Sequence, residues 1–152
     1  MTADRAELAI QLGATAVALA ERLLDENGAD EEQLRFLEIA HEALENARAA
    51  YDEGDYARAV HFAQTASWSA LKAVIVPGGI TDEEIRDMVD LANGLYAEAQ
   101  VALGDTPTEL ELTMFTRAGR LIELGEAKVA EGNHRGVGAL WRGAVISSWI
   151  IG

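Results

Sequence analysis

The sequence predicts an all-α fold of six helices, arranged as two pseudo-symmetric three-helix repeats, residues 1–76 and 79–152, within one domain spanning 1–152. Three observations predict it. Apolar residues recur at three- and four-residue spacing along the whole chain. No sustained alternation, and no tight hairpin turn between β-branched runs, marks a strand. Helix starts and stops come in the same order twice, 78 residues apart.

The first helix is expected from Ala3 to Glu26, with Ile10, Ala14, Val17, Ala20 and Leu24 on one face. Asn27-Gly28 ends it, glycine suiting the left-handed position after a helix. Asp30 caps the second helix and Gln33 completes a capping box. Leu37, Ala40, Leu44, Ala47 and Tyr51 form its apolar stripe, and Gly54 stops it. Asp55 caps the third helix, whose inner face carries Ala59, Val60, Ala63, Ala66, Ala70, Leu71 and Val74. Pro77-Gly78-Gly79 then breaks the chain.

Thr81 and Glu84 open the fourth helix, where Ile85, Met88, Ala92, Leu95, Ala99 and Ala102 hold core spacing up to Gly104. Thr106-Pro107 is read as the start of the fifth, with Glu109 closing a capping box. Its stripe is Phe115, Ala118, Ile122, Gly125 and Val129. Gly132 stops it, and Asn133 is expected to cap a last helix running to the C-terminus.

The halves align position by position. Glu53-Gly54-Asp55-Tyr56 stands 78 residues before Glu131-Gly132-Asn133-His134, and Ala3-Asp4 the same distance before Thr81-Asp82. Ala92 matches Ala14, Leu95 matches Val17, Phe115 matches Leu37 and Ile122 matches Leu44. Core positions and helix ends shift together, as a duplication requires.

Composition narrows the function. The chain holds 26 acidic and 12 basic residues, a net charge of −14, so nucleic acid phosphate and anionic membranes are both repelled. Only Lys72 and Lys128 among the basic residues are lysines. Heavy acid with scarce lysine resembles the usage of salt-adapted cytoplasmic proteins; an ordinary acidic protein from an arginine-favouring genome is the other account. Cysteine is absent, which removes disulfides and thiolate sites. No leader and no membrane span is visible, so a cytoplasmic location is expected.

Two family resemblances follow from named residues. Ala47, Tyr51, Gly54-Asp55-Tyr56, Ala59, Val60 and Ala66 resemble the helical hairpin of tetratricopeptide repeats, as do Leu124-Gly125, Ala127, Gly132 and Ala144. That resemblance implies tight antiparallel helix pairs and a protein-binding role. The 78-residue unit departs from that family's period of about 34. The stretch from Ala47 to Ile75 also resembles the helical bundles named for higher eukaryotes and prokaryotes nucleotide-binding domains, many of them toxin ribonucleases. Those ribonucleases carry Arg, four to six residues, then His. Arg58 and His61 have only two residues between them and His134 is followed by arginine, so the nuclease residues are not expected to carry over.

Candidate sites are few. Glu38-x-x-His41 places a carboxylate and an imidazole on one helix face, as di-iron bundles do. The matching positions in the second half are Thr116 and Gly119, so no metal is expected. His61, Thr65, Trp68 and Lys72 fall on one stripe of the third helix with Arg58 at its margin, a candidate interaction surface anchored by the tryptophan. From Gly136 to Ile151 the only charged residue is Arg142, and apolar side chains surround the helix. Trp141, Val145, Trp149 and Ile150 are its candidate oligomer interface. Acid clusters such as Asp30-Glu31-Glu32 sit at helix N-termini, where the helix dipole accounts for them.

No catalytic residue and no cofactor emerges from these patterns. The expected function is a non-enzymatic interaction or scaffolding module that binds a protein partner or itself as a homo-oligomer, without nucleic acid. Two alternatives stand beside it: a degenerate nucleotide-binding or toxin–antitoxin-type bundle, and a small-ligand carrier or enzyme with a pocket between the repeats.

Overall fold

Short polar side chains set where the helices begin. In the computed structural model, which describes residues 1–75 and 79–152, the chain forms α1 (Ala3–Asn27), α2 (Glu31–Asp52), α3 (Tyr56–Val74), α4 (Asp82–Leu103), α5 (Glu109–Ala130) and α6 (Gly136–Ile151). There is no strand among the described residues, so the fold is an all-α helical bundle. Val76, at the end of the first expected repeat, and the expected Pro77-Gly78 break lie outside them.

Asp30 Oδ1 accepts from the Gln33 backbone N–H at 2.8 Å, and Gln33 Oε1 accepts from the Asp30 N–H at 3.0 Å. Thr81 with Glu84, and Thr108 with Glu111, close the same reciprocal box at α4 and α5. Each box satisfies donors that the first helical turn leaves without a partner. The start of α5 therefore lies two residues beyond the expected Thr106. Thr-x-x-Glu occurs twice in Thr106-Pro107-Thr108-Glu109-Leu110-Glu111, and the second copy makes the box, leaving Pro107 outside the helix.

The chain divides into two compact units, Met1–Gly78 and Gly79–Gly152. In the first, α3 packs against both α1 and α2, which touch each other less. The small residues Ala59, Ala63, Ala66, Ala70 and Ala73 on α3 are all buried. With methyl groups making up most of the buried surface, beside Ser69 and Leu71, α3 lies close to its neighbours. At one end Ala6, Ala50 and Ala59 form a cluster, with Ile10, Tyr51, Tyr56, Val60 and Phe62 packed on it.

In the second unit α6 takes the equivalent central place between α4 and α5. Glycine makes that possible at Gly136: a Cβ there would lie 2.5 Å from the Gly125 carbonyl oxygen and 2.9 Å from side-chain carbons of Lys128 and Val129. Met88, Ala92, Leu95 and Ala99 on α4 and Met114, Ala118 and Ile122 on α5 are buried. Ala102, expected at core spacing, is exposed one turn beyond Ala99. Tyr96 stacks on Phe115 with ring centroids 4.3 Å apart, and Asn93 Nδ2 donates to Glu126 Oε1 at 2.6 Å.

The turns between second and third helices match bond for bond. Gly54 N–H donates to Tyr51 O and Asp55 N–H to Ala50 O; Gly132 N–H donates to Val129 O and Asn133 N–H to Lys128 O. Gly54 and Gly132 have φ of +79° and +83°, where a side chain is strained. After the turn the units diverge. Asp55 Oδ1 accepts from the Arg58 N–H and α3 begins at once. Asn133 Oδ1 accepts from the Arg135 N–H inside a further turn, and α6 begins at Gly136 without a side-chain cap. Asn133 thus caps a turn and not the helix itself, because α6 starts where Gly136 meets Gly125.

Candidate functional site

The alanine face of α3 turns inward, which carries the opposite stripe to the surface. Arg58, His61, Trp68 and Lys72 are exposed and Thr65 is half-buried. Trp68 keeps 54% of its surface, a large apolar area for a side chain that usually loses most of it. Its neighbours on the stripe are held in place. The Arg58 guanidinium lies 5.5 Å from the Phe62 ring centre, and the His61 and Phe62 rings are 6.0 Å apart. Thr65 Oγ1 donates to His61 O at 3.0 Å. Lys72 Nζ lies 6.0 Å from the ring centre of Phe36, so the stripe extends across onto α2.

The four residues singled out on α6 separate. Trp141 and Val145 are buried within the chain, whereas Trp149 and Ile150 are half-buried in the last turns. Trp149 and Ile150 thus hold what surface the set has to offer a second copy.

The remaining polar groups do not converge. His41 Nε2 sits 2.7 Å from Glu21 Oε1 on α1, so the carboxylate partner of His41 is Glu21 and not Glu38. Among the described residues no three His, Cys, Asp or Glu side chains are grouped to hold a metal. A cleft of about 340 Å³ is lined by Glu7, Ile10, Gln11, Arg48, Tyr51 and Asp52, and none of Glu38, His41, Arg58 or His61 reaches it. Tyr51 there has its hydroxyl pKa raised, first by burial and then by Glu7, which keeps the phenol protonated. No helix among the described residues is long and apolar enough to cross a membrane.

Comparison with known families decides which resemblance holds. The model of the HEPN domain matches residues 34–118, more than half of the chain. The chain belongs to the HEPN domain family. The matched part of this HEPN domain starts in α2, contains all of α3 and α4 and ends in α5. Searches of curated proteins and of solved structures return no match. The tetratricopeptide resemblance gains no support. It rested on small residues at a tight helix turn, which any close antiparallel hairpin needs.

Membership brings one pair forward that the reading of His61 and His134 passes over. Arg35 and His41 have five residues between them, within the Arg, four to six residues, His pattern. Both are exposed on α2 of this HEPN domain. Counting back from each of the three histidines, and not only from those near the turns, finds the pair.

Proposed function

We propose that this HEPN domain is a binding module of the nucleotide-binding, toxin–antitoxin type, and that it does not cleave RNA. The observation that carries the second half is the placing of Arg35 and His41. A step of six positions sets them about 9 Å apart along α2 and roughly 120° apart around it. Glu38 lies midway between them, and Glu21 already holds the His41 imidazole. Both carboxylates put negative charge beside His41, which disfavours the approach of a phosphodiester. The first half is supported by Trp68, an exposed aromatic anchor whose flanks are fixed by Phe62 and Phe36.

The spacing of Arg35 and His41 itself favours a second reading, a ribonuclease. One experiment separates the two: incubation of the protein, and of its His41→Ala and Arg35→Ala variants, with structured and unstructured RNA. The binding module leaves the RNA intact in all three. Cleavage by the native chain that both variants abolish establishes the ribonuclease instead. For the binding surface, Trp68→Ala is expected to keep the far-UV helical signal and to weaken self-association in sedimentation equilibrium. Unchanged association removes Trp68 from the surface.

A further inference from the structure

The sequence holds four asparagines, Asn27, Asn46, Asn93 and Asn133, and two of them precede glycine, as Asn27-Gly28 and Asn93-Gly94. The backbone nitrogen of the next residue can attack an asparagine side-chain amide. Glycine hinders that nitrogen least, because it has no Cβ and the freest backbone. By sequence the two pairs are therefore equally reactive. Asn27, Gly28, Asn93 and Gly94 are all exposed, so access of water does not separate them either.

The backbone does separate them. Gly94 lies inside α4, where helical geometry commits its N–H to the carbonyl four residues back. The Asn93 amide is held as well: Nδ2 donates to Val89 O at 2.9 Å and to Glu126 Oε1 on α5 at 2.6 Å. Asn27 is the last residue of α1, and Gly28 follows it outside the helix at φ +80°. The other glycines that follow helix ends are tied back. Gly54, Gly104, Gly132 and Gly152 donate their N–H groups to the carbonyls of Tyr51, Val101, Val129 and Ser148. The Gly28 N–H makes no hydrogen bond among the described residues. Asn27 Nδ2 has a single bond, to Leu23 O at 2.9 Å.

We propose that Asn27 is a self-modification site, which turns into aspartate and isoaspartate without an enzyme, and that the fold spares Asn93. Gly28 N gives its proton to a solvent base and bonds to Asn27 Cγ. The Cγ–Nδ2 bond breaks, and Nδ2 takes a proton and leaves as ammonia, closing a cyclic imide. Water then adds to one of the two imide carbonyls. Opening at Cγ gives aspartate; opening at the backbone carbonyl routes the main chain through Cγ and gives isoaspartate. Nothing is oxidised or reduced, and water is the only co-reactant. The reaction is independent of the binding role proposed above. Its consequence falls on α1. The last turn of that helix has no basic residue, and a carboxylate there opposes the helix dipole beside Asp25 and Glu26. A carboxylate also has no proton to donate to Leu23 O. Conversion therefore loosens the last turn of α1, just ahead of the Asp30–Gln33 box that starts α2.

The test is to hold the full chain at mildly alkaline pH, folded and unfolded in guanidinium chloride, and to follow each asparagine by peptide mass spectrometry. Fragmentation of the Asn27 peptide tells isoaspartate from aspartate. In the unfolded chain Asn27 and Asn93 are expected to convert at comparable rates. In the folded chain Asn27 is expected to convert while Asn93 lags by about tenfold or more, because attack there awaits opening of α4. The folded chain is also expected to melt lower as it ages, toward the melting temperature of Asn27→Asp. Asn27→Gln, whose longer side chain closes the ring far more slowly, is expected to hold its melt over the same period. Equal rates for Asn27 and Asn93 in the folded chain overturn the assignment. So does an Asn27 that stays an amide in the folded chain while the unfolded control converts. Conversion at Asn27 with an unchanged melt overturns the loosening of α1.

Discussion

His41 Nε2 and Glu21 Oε1 meet at 2.7 Å and join the outer surfaces of α1 and α2. The side chains stay 52% and 44% exposed, so water screens the pair strongly. A double-mutant cycle of Glu21→Gln and His41→Ala should give a coupling of about 0.2–1 kcal/mol in urea melts. A coupling above that range would mean the pair is shielded more than its exposure indicates.

Glycine should act with opposite sign at two positions of the second unit. Gly136→Ala puts a methyl group 2.5 Å from the Gly125 carbonyl oxygen, and backbone must shift to admit it. Overpacking of this kind costs about 1–3 kcal/mol. Gly94 lies mid-helix in α4 with nothing within 4 Å of a Cβ. Gly94→Ala should raise stability by about 0.4–1 kcal/mol, because alanine restricts the unfolded chain and fits the helix. Chemical denaturation of both variants checks the two signs together.

Ser147 is fully buried on α6, and its Oγ has no hydrogen-bond partner among the described residues. A hydroxyl taken out of water without a partner is destabilising. Ser147→Ala should therefore melt at the same temperature as the native chain or higher. A clear loss of stability would show that the hydroxyl has a partner after all.

The Glu111 carboxyl has its pKa held below the usual range, first by the backbone N–H of Thr108 and then by the Thr108 hydroxyl. A carboxyl with a depressed folded-state pKa contributes stability that is fully present above its unfolded pKa, about 4.3. That contribution disappears as pH falls through the lower, folded value. Glu111→Gln cannot titrate, so its stability should fall less steeply in that acid window than that of the native chain. Parallel acid titrations followed by circular dichroism would show the two curves drawing together at low pH.

Carboxylates outnumber basic residues by more than two to one, and only one ion pair forms among the described residues. Salt should screen the remaining repulsion. The melting temperature is expected to rise with KCl into the molar range. A flat profile would leave the acidic surface without a salt-adapted purpose.

Helix starts were legible wherever one capping motif stood alone, as at Asp30 and Thr81. They were displaced where two motifs overlapped at Thr106 and Thr108. The delayed start of α6 had no signal in Asn133, because it is set by a contact between Gly136 and Gly125 on different helices. The exposed stripe of α3 was legible because its opposite face is alanine at helical spacing. On α6 the apolar residues go all round, so no phase distinguished buried Trp141 from half-buried Trp149. Glu21 as the partner of His41 depends on how α1 and α2 face each other, which neither helix encodes alone.

The family match and the packing divide this chain differently. A fragment trimmed to residues 34–118 would keep α3 and discard α1, leaving the alanine row of α3 covered on one side only. It would keep α4 and discard α6, removing the helix around which the second unit packs. Such a fragment is expected to be insoluble or to self-assemble through those bared faces. Expression boundaries for work on this protein should follow the helices that bury one another, not the reach of the sequence signature.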